Sequence, residues 1–336
     1  MIWCPIECMD DKRSRGRKRM GQDIKKALIT GGAGFIGSHL VDALIDRGCE
    51  VGVVDDLSTG RLSNLQHLQG RIEFCKGDIR DFDTMRRMAS GCDAIFHLAA
   101  MVSVPQTVED PVVSSAINDT GTLMVLEAAR QAGVGRVVLS SSCAVYGDDP
   151  EVPKHEKMPL KPQSPYAAQK LTNELHAGLY SELYGLETVC LRYFNVFGPR
   201  QDPSSPYSGV ISIFMTLAAE KTKPLIYGDG NQYRDFIFVK DVVQANLKAA
   251  LGQGISGDIF NIGSGQFIRI KDLWEMISEL ASVNIIPEFQ DKRAGDILES
   301  VGDIQKASEL LGFKPEYNFK DGLKITYDWY VQKQKN

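Results

Sequence analysis

From Lys26 onward, short apolar runs alternate along the chain with segments of helical periodicity. The apolar runs have the length of strands and read KALIT, EVGVVD, RIEFC, DAIFHLAA and RVVLSSS. Helical patterns follow at about Phe35–Arg47, Phe82–Ser90 and Pro111–Ala132. Because the runs lack polar alternation, both faces of each strand must be covered, as in a parallel sheet between helices. The pattern predicts an α/β fold with a doubly wound parallel sheet of Rossmann type.

The composition is ordinary for a soluble globular protein, with 336 residues of which 43% are hydrophobic and 24% charged. A formal net charge of -5 argues against a nucleic-acid partner, because phosphate binding depends on clustered Lys and Arg. No apolar run approaches the roughly 18 residues that span a bilayer, so we expect no membrane segment. Seven scattered cysteines, including the pair Cys4 and Cys8, fit a reducing cytoplasm and predict no metal site.

Three glycines, Gly31, Gly34 and Gly37, lie directly between the first predicted strand and its helix. At this spacing they permit a tight turn, close approach of the backbone to a pyrophosphate, and close packing of helix on strand. A glycine-rich turn without a ligand is the plainer alternative, but the strand-turn-helix context favours a dinucleotide site. Asp55 ends the next strand, where a carboxylate accepts ribose hydroxyls and repels a 2'-phosphate. The predicted cofactor is therefore NAD.

Neighbouring residues at the strand and helix ends complete the predicted cofactor site: Phe35, Ile36, Asp56, Asp78, Ile79, Leu98, Ala99 and Ala100. For Asp78 an adenine contact and a helix N-cap are both open. We divide the chain into a leader (1–25) that is interpreted as disordered, with Met20 as an alternative start, an NAD-binding domain (26–193) and a smaller mixed α/β substrate lobe (194–336). Later strands near 236–262 are allowed to return to the main sheet.

Tyr166 and Lys170 lie one turn apart on a predicted helix that starts with Ser164 as N-cap and Pro165 at its first position. A lysine ammonium and a nicotinamide cation both favour a phenolate, so we expect a lowered pKa and a general base at Tyr166. An ordinary surface pair is the alternative. Nearby, Ser140, Ser141 and Ser142 end a buried strand and offer hydroxyl donors, unless they only satisfy loop backbone.

Taken together, these motifs resemble the extended short-chain dehydrogenase/reductase superfamily, and more narrowly its nucleotide-sugar 4-epimerases of the UDP-glucose and UDP-N-acetylglucosamine type. The resemblance covers about Lys26 to Tyr330 and is carried by TGGAGFIG, GDIRD, SSSCAVYG, SPYAAQK, LRYFNVFGPRQDP, GDGNQYRDFIFVKD and RAGD. It implies that NAD oxidises C4 of a UDP-hexose, the 4-keto sugar rotates, and the hydride returns to the other face. The family also implies a homodimer through helices near Pro111–Ala132 and Tyr166–Tyr184.

The resemblance further implies roles for individual residues. Ser142 and Tyr166 flank the sugar C4 hydroxyl, and Lys170 bridges the nicotinamide ribose and the phenolate. Asn118, Ser140 and Phe194 join the cofactor site. The implied substrate site comprises Ser103, Ser142, Tyr166, Asn195, Gln201, Gly209, Val210, Tyr227, Arg234, Arg293, Asp296 and Ser300. Within it Arg234 and Arg293 pair with the diphosphate, and Asp296 holds the uridine ribose.

Related enzymes of this fold divert the keto intermediate, and two positions separate them from the epimerases. Sugar 4,6-dehydratases carry an Asp-Glu pair after the serine or threonine, and decarboxylases keep the Glu, whereas this chain has Cys143 and Ala144. A UDP-glucuronate epimerase remains an alternative of the same fold. A dinucleotide-binding regulator without chemistry is the alternative from another class, although it would be expected to lose the Tyr-Lys pair.

The C2 substituent of the sugar depends on Ser300, because a bulky Tyr at this family position leaves no room for an N-acetyl group. Ser300 is small, and Val102 and Ser103 stand where a strictly glucose-handling relative presents longer side chains. In the alternative interpretation Ser300 only starts a strand and faces elsewhere. We predict interconversion of UDP-GlcNAc and UDP-GalNAc, with UDP-Glc and UDP-Gal left open as a second pair.

Overall fold

A computed structural model describes residues 23–202, 209–291 and 299–335 of the chain. The strands are β1 (Lys26–Thr30), β2 (Glu50–Asp55), β3 (Ile72–Lys76), β4 (Ala94–His97), β5 (Arg136–Ser142), β6 (Glu187–Tyr193), β7 (Asn195–Phe197), β8 (Leu225–Tyr227), β9 (Tyr233–Arg234), β10 (Phe236–Phe238), β11 (Asp258–Ile262), β12 (Ile268–Arg269), β13 (Glu288–Gln290) and β14 (Glu299–Ser300). The helices are α1 (Phe35–Asp46), α2 (Phe82–Ala89), α3 (Val104–Glu109), α4 (Pro111–Ser115), α5 (Gly121–Ala132), α6 (Pro165–Tyr184), α7 (Val210–Ala219), α8 (Val239–Leu251), α9 (Ile270–Ala281), α10 (Gln305–Leu311) and α11 (Phe319–Lys335).

Seven parallel strands form the main sheet in the order β11-β6-β5-β4-β1-β2-β3. Helices α1 and α8 pack on one face around one apolar core, and α2, α5 and α6 pack on the other around a second. The predicted doubly wound fold is confirmed. The chain runs outward from β1 in one direction through β3 and in the other from β4, so the strand order reverses between β1 and β4, where ligands bind in such sheets.

The later strands divide between the main sheet and smaller sheets. β11 extends the main sheet beside β6, as the prediction allowed, but β10 pairs with β7 in a separate two-stranded sheet. A third core of aromatic and aliphatic side chains lies between α7, α9 and α11, with Trp274 and Phe214 in edge-to-face contact. This mixed lobe contacts the cofactor half through Phe35 and Ile36 at the start of α1, which pack against the third core. The domain bounds at 193 and 194 stay an interpretation.

The helix predicted over Pro111–Ala132 is not one regular α-helix. It consists of α4, a single π-helical turn at Ala116–Thr120, and α5. A π turn inserts one residue and rotates its neighbours, a feature often found at functional sites. Here the buried Asn118 amide reaches the backbone of Met101 and the side chain of Gln169. Periodicity in the sequence does not reveal such a local change of pitch.

Within the three described segments, no helix is long and apolar enough to cross a bilayer. The same residues hold no cluster of three or more His, Cys, Asp or Glu side chains suited to a metal ion. Residues 1–22 of the predicted leader, with Cys4 and Cys8, lie outside the described residues, as do two residues predicted for the site, Arg293 and Asp296. The last three leader residues are described, and Ile24 among them is buried in the core.

Candidate functional site

A cavity of about 1040 Å³ opens at the carboxyl edge of the main sheet, at the point between β1 and β4 where the strand order reverses. Most of the residues predicted for the site line it: Gly31, Gly34, Phe35, Ile36, Gly37, Asp55, Asp56, Asp78, Ile79, Leu98, Ala99, Ala100, Ser103, Ser140, Ser142, Tyr166, Lys170, Phe194, Gln201 and Gly209. The predicted residues Asn118, Asn195, Val210, Tyr227, Arg234 and Ser300 are not among the lining residues. The volume suits a ligand larger than a single sugar.

The glycine turn forms an open cradle at the start of α1. Gly31 has a φ of +71°, and a Cβ there would lie 2.7 Å from the backbone nitrogen of Ala99. A Cβ at Gly37 would lie 2.2 Å from the carbonyl oxygen of Gly31. Helix α1 begins at Phe35, and its N-cap residue Gly34 has no side chain to cap it. The first N–H groups of the helix can therefore receive an anion. The cradle therefore fits the pyrophosphate of a dinucleotide.

Asp55 is held at the end of β2 with its carboxylate at the cavity wall. Its oxygens accept hydrogen bonds from Ala33 N at 2.9 Å and Leu57 N at 2.8 Å. Burial raises the pKa of Asp55, and these two N–H donors oppose the shift. Since each carboxylate oxygen can accept more than one hydrogen bond, the fixed group remains able to receive ribose hydroxyls.

Asp78 lines the cavity, but it is not the N-cap of α2. Asp81 caps that helix and accepts from the N–H groups of Asp83 and Thr84. Asp78 instead binds the guanidinium of Arg80, with an Nε–Oδ2 distance of 2.9 Å, and this contact lowers its pKa. The N-cap alternative for Asp78 was wrong because the helix starts at Phe82, and only Asp81 stands directly before it.

Tyr166, Lys170 and the serines at the end of β5 come together at the middle of the cavity. Ser164 caps α6 by accepting from Ala167 N, and Pro165 follows it, as predicted. Ser142 lies near Tyr166, close enough for its hydroxyl to act on the pKa of the phenol. Lys170 Nζ donates to the Ser140 carbonyl at 2.8 Å and lies 5.8 Å from the centre of the Tyr166 ring. The pair is therefore buried against the serines and is not a surface pair.

The pKa values of this group differ from the expected ones. Burial raises the pKa of Tyr166 to about 12, with the Ser142 hydrogen bond acting in the opposite direction. Burial also lowers the pKa of Lys170 to about 8. The protein's own groups therefore do not produce the predicted lowering at Tyr166, because desolvation of the phenolate dominates. The prediction also invoked the positive charge of an oxidised nicotinamide, which would lower the pKa of Tyr166.

Asn118 and the residues expected around the substrate occupy less direct positions. Asn118 orients Met101, which lines the cavity, by one hydrogen bond to its N–H and one to its carbonyl. Asn195 donates to the Asp235 carbonyl at 2.8 Å, and Arg234 donates to the Tyr233 carbonyl at 2.9 Å. Tyr227 ends β8, and Val210 begins α7.

Ser300 belongs to β14, whose register places it opposite Arg234, so it does start a strand. It does not line the cavity, and its role in the sugar pocket stays a prediction. Ser300 lies near Cys143, the residue directly after Ser142, and acts to lower the pKa of its thiol. Burial raises the pKa of that thiol to about 11, which leaves Cys143 protonated and unreactive near neutral pH.

The sequence analysis did not identify His97 as a buried polar residue at the end of β4. It ends β4 fully buried, with Nδ1 2.7 Å from Thr30 Oγ1 and Nε2 2.9 Å from Thr122 Oγ1. Burial lowers its pKa to about 3, and the charge of Lys170 acts in the same direction. A histidine at the end of an apolar strand in FHLAA was the available signal.

We expect the protein to lose stability as the pH falls below 6.5. The folded pKa of His97 is about 3 and that of His39, which burial lowers, is about 4. The unfolded chain keeps a value near 6.5 and so binds more protons between these limits, which favours unfolding. Lowering the pH from about 7.5 to about 5 should cost about 2 kcal/mol per buried histidine.

Urea unfolding at the two pH values measures this loss. His97→Gln should reduce the pH dependence, whereas His67→Gln, at an exposed position, should leave it unchanged. An equal pH dependence in both variants would show that His97 is not the responsible group.

Residues 27–263 match the sequence model of the NAD dependent epimerase/dehydratase family. The chain belongs to this family. It is 41% identical over 316 residues to a UDP-glucose 4-epimerase of Mycolicibacterium smegmatis, covering 92% of this chain and all of the relative. The prediction of an NAD-dependent epimerase with a Rossmann fold is confirmed.

Two solved structures resemble the chain over nearly its whole length. A UDP-N-acetylglucosamine 4-epimerase of Methanobrevibacter ruminantium, in complex with UDP-N-acetylmuramic acid, has a TM-score of 0.88 at 40% identity and covers 92% of this chain and 99% of its own. A UDP-glucose 4-epimerase of Thermus thermophilus in complex with NAD has a TM-score of 0.82 at 37% identity, covering 91% and 99%. These relatives differ in the sugar that their names give.

Proposed function

We propose that the protein interconverts the C4 epimers of a UDP-hexose, chiefly UDP-GlcNAc and UDP-GalNAc. The observation that carries the proposal is the grouping of Ser142, Tyr166 and Lys170 at the cavity wall beside the cofactor cradle. The choice of the N-acetylated pair rests on the small Ser300, which lies near Cys143. Bound NAD supplies reversible hydride transfer, which leaves no net change in the cofactor.

In this proposal Tyr166 exchanges a proton with the sugar O4 in both directions. Ser142 lies near the tyrosine at the cavity wall and would bind the same sugar hydroxyl, so that it orients O4 toward the phenol oxygen. Lys170 is buried with its Nζ 5.8 Å from the centre of the Tyr166 ring, and it lowers the cost of a phenolate once a second positive charge lies beside it. The group works as an acid in one half of the cycle and a base in the other.

The side chains after Ser142 support epimerisation over elimination. Cys143 and Ala144 offer no carboxylic acid, and burial raises the pKa of the Cys143 thiol to about 11, so the thiol stays protonated near neutral pH. The buried Asp235 lies close enough to raise the pKa of Cys143, but its carboxylate accepts from Ser264 N and Oγ and from two further backbone N–H groups. The Asp235 carboxylate therefore stabilises the loop through these hydrogen bonds and cannot transfer a proton for dehydration.

The diphosphate and uridine are assigned to the mixed lobe. Arg234 stands in β9 beside the strand of Ser300, and the guanidinium fork suits a diphosphate. Five further residues remain predicted substrate contacts: Asn195, Gln201, Gly209, Val210 and Tyr227. Arg293 and Asp296 keep their roles as predictions only, since they fall outside the described residues.

Incubation with UDP-GlcNAc, UDP-Glc and UDP-GlcA in separate reactions tests the proposal. Chromatography should resolve UDP-GalNAc as the main product of the first, and a smaller or no conversion in the third. Conversion of UDP-GlcA alone would favour a glucuronate epimerase, and absence of any turnover with bound NAD would favour a regulator.

We expect the purified protein to release NAD or NADH, and not NADP, when it is denatured. Asp55 stands where a 2'-phosphate needs a cation, and two backbone N–H groups hold its carboxylate in place. Enzymatic cycling assays specific for each dinucleotide make the measurement, with NADP added to a parallel sample as a recovery control. A majority of NADP would overturn the cofactor geometry proposed for Asp55.

We also propose a homodimer through α6 and the neighbouring α3 and α4. Leu175, Leu179 and Leu183 are 62%, 48% and 61% exposed at four-residue spacing on α6. Val108 and Val112, 60% and 77% exposed, extend this apolar face on the adjacent helices. Exposed apolar stripes of this kind typically mark an interface, and a two-fold dimer pairs the same face with itself.

Light scattering after size exclusion should give about twice the chain mass of 37.1 kDa. Leu179→Arg should weaken the dimer by about tenfold or more, since it buries a charge at the centre of the face. Leu310→Arg, at an equally exposed leucine of α10, is the control that should stay dimeric. A monomeric parent protein would refute the dimer.

We propose a cytoplasmic location, because Cys49, Cys75, Cys143 and Cys190, which lie among the described residues, are not in disulfides.

A further inference from the structure

A buried ion pair lies behind the serines at the end of β5. Glu174 on α6 and Arg192 on β6 have side chains that are each 2% exposed. Two hydrogen bonds join them, from Arg192 Nε to Oε1 at 2.8 Å and from Nη2 to Oε2 at 2.7 Å. Although burial opposes the charged guanidinium, Glu174 raises the pKa of Arg192 above its usual range. The guanidinium of Arg192 is therefore charged in the interior.

The ion pair forms hydrogen bonds with residues that lie before and after Ser142 in the sequence. On one side, the Ser141 hydroxyl donates to Glu174 Oε1 at 2.5 Å. On the other, Arg192 Nη1 donates at 2.8 Å to the hydroxyl of Tyr146, which ends the 3-10 turn Cys143–Tyr146 that starts directly after Ser142. Tyr146 in turn donates to Asn261 Oδ1 on β11 at 2.7 Å. Hydrogen bonds to this one ion pair therefore hold Ser141 and Tyr146, which lie on either side of Ser142 in the sequence.

Helix α6 presents matching partners to the three serines. Tyr166, Lys170 and Glu174 follow one another at four-residue spacing and so share one side of the helix. Ser140 is hydrogen-bonded to Lys170 and Ser141 to Glu174, and Ser142 lies near Tyr166. The ion pair is the last of three links between the helix and the strand end, and neither of its members lines the cavity.

We propose that the Glu174–Arg192 ion pair is the positioning element that fixes α6 against the end of β5, so that Ser142, Tyr166 and Lys170 keep their mutual geometry. This inference deepens the proposed epimerisation and rests on it. A pair that served stability alone could be apolar, since apolar groups often replace buried ion pairs without loss. A fully hydrogen-bonded polar network instead specifies one arrangement of its members.

Glu174→Gln, which keeps the shape and removes the charge, tests the proposal against Glu187→Gln. Glu187 on β6 pairs with Arg136 on β5. The two residues face each other in register, at the end of these strands opposite to Ser142 and Arg192. Turnover, KM, bound NAD, the unfolding midpoint and hydrogen exchange of residues 142–147 are measured for both. That segment includes Ala144 N, which donates to Ser142 Oγ.

Glu174→Gln should lower kcat by about tenfold or more, leave KM and bound NAD within about twofold, and speed exchange over 142–147. Glu187→Gln should leave kcat and this exchange unchanged, whatever its unfolding midpoint. If the Glu174→Gln variant does not fold, Ser141→Ala and Tyr146→Phe remove one hydroxyl from each flank and keep the ion pair. Each should lower kcat by about threefold to tenfold and speed the same exchange.

Equal kcat and equal exchange in the Glu174 and Glu187 variants would overturn the inference and leave the proposed function standing. The inference also fails if kcat falls only in proportion to the unfolded fraction at the assay temperature. A parent protein that converts no UDP-sugar, while exchange over 142–147 still responds to Glu174→Gln alone, would overturn the proposed function and retain the positioning role.

Discussion

Tyr166→Phe is expected to lower turnover by about three orders of magnitude while retaining the fold and the bound NAD. The substitution removes one hydroxyl, the group that exchanges the proton with O4, and general acid-base catalysis contributes factors of this size. Lys170 and Ser142 keep their other contacts, Lys170 with Ser140 and Ser142 with Ala144 N. Steady-state rates with UDP-GlcNAc and UDP-Glc, together with the content of bound dinucleotide, measure the effect.

Tyr180→Phe is the matched control. Tyr180 is a buried tyrosine of the same helix, and its hydroxyl donates to Glu127 at 3.2 Å, away from the cavity. Its removal should leave kcat within about twofold, because no proton of the reaction passes through it. If Tyr166→Phe were as active as the control, Tyr166 would not be the acid-base group and the mechanism would have to be abandoned.

Ser300→Tyr is expected to abolish epimerisation of UDP-GlcNAc and to spare UDP-Glc. Ser300 lies near Cys143, which follows Ser142, and we expect a phenol at this position to fill the space proposed for the C2 substituent. Steric exclusion of a bound group is worth several orders of magnitude in kcat/KM when the pocket cannot expand. The ratio of kcat/KM for the two sugars is the quantity to measure.

Ser300→Ala serves as the control, because it removes the hydroxyl without filling space. It should retain turnover of both sugars, with the acetylated reaction reduced by no more than about tenfold. Parental conversion of UDP-GlcNAc by Ser300→Tyr would mean that Ser300 does not limit the C2 group, and the assignment of the acetylated substrate would lose its main support.

The core of the fold was predictable because its signals are local. Strands β1, β2 and β5 fall at the predicted residues, since apolar runs bounded by glycine or charge suffice to mark a buried strand. Ser164, Pro165 and the glycine after Tyr184 likewise bound α6 by the chemistry of capping, which involves neighbours in sequence. The Tyr166–Lys170 pair and the glycine cradle follow from spacing within one element.

Other features depended on which distant segments meet. The sequence could not tell which of two short apolar runs joins the main sheet, and the structure placed β11 there and β10 with β7. The π turn that directs Asn118 to Met101 depends on a partner 17 residues away. The pKa of Tyr166 rose where a fall was expected, because the extent of burial is a property of the packed molecule.

The sequence by itself determined the sheet, the dinucleotide turn and the residue types needed for a proton-exchanging tyrosine, because each of these is encoded within one strand, turn or helix. Only the tertiary structure decided that Ser300 faces Cys143, that His97 is buried between two threonines, and that Glu174 and Arg192 meet behind Ser142. These contacts join strands and helices that are far apart along the chain. Their energies depend on desolvation and geometry that exist only once the segments have packed together.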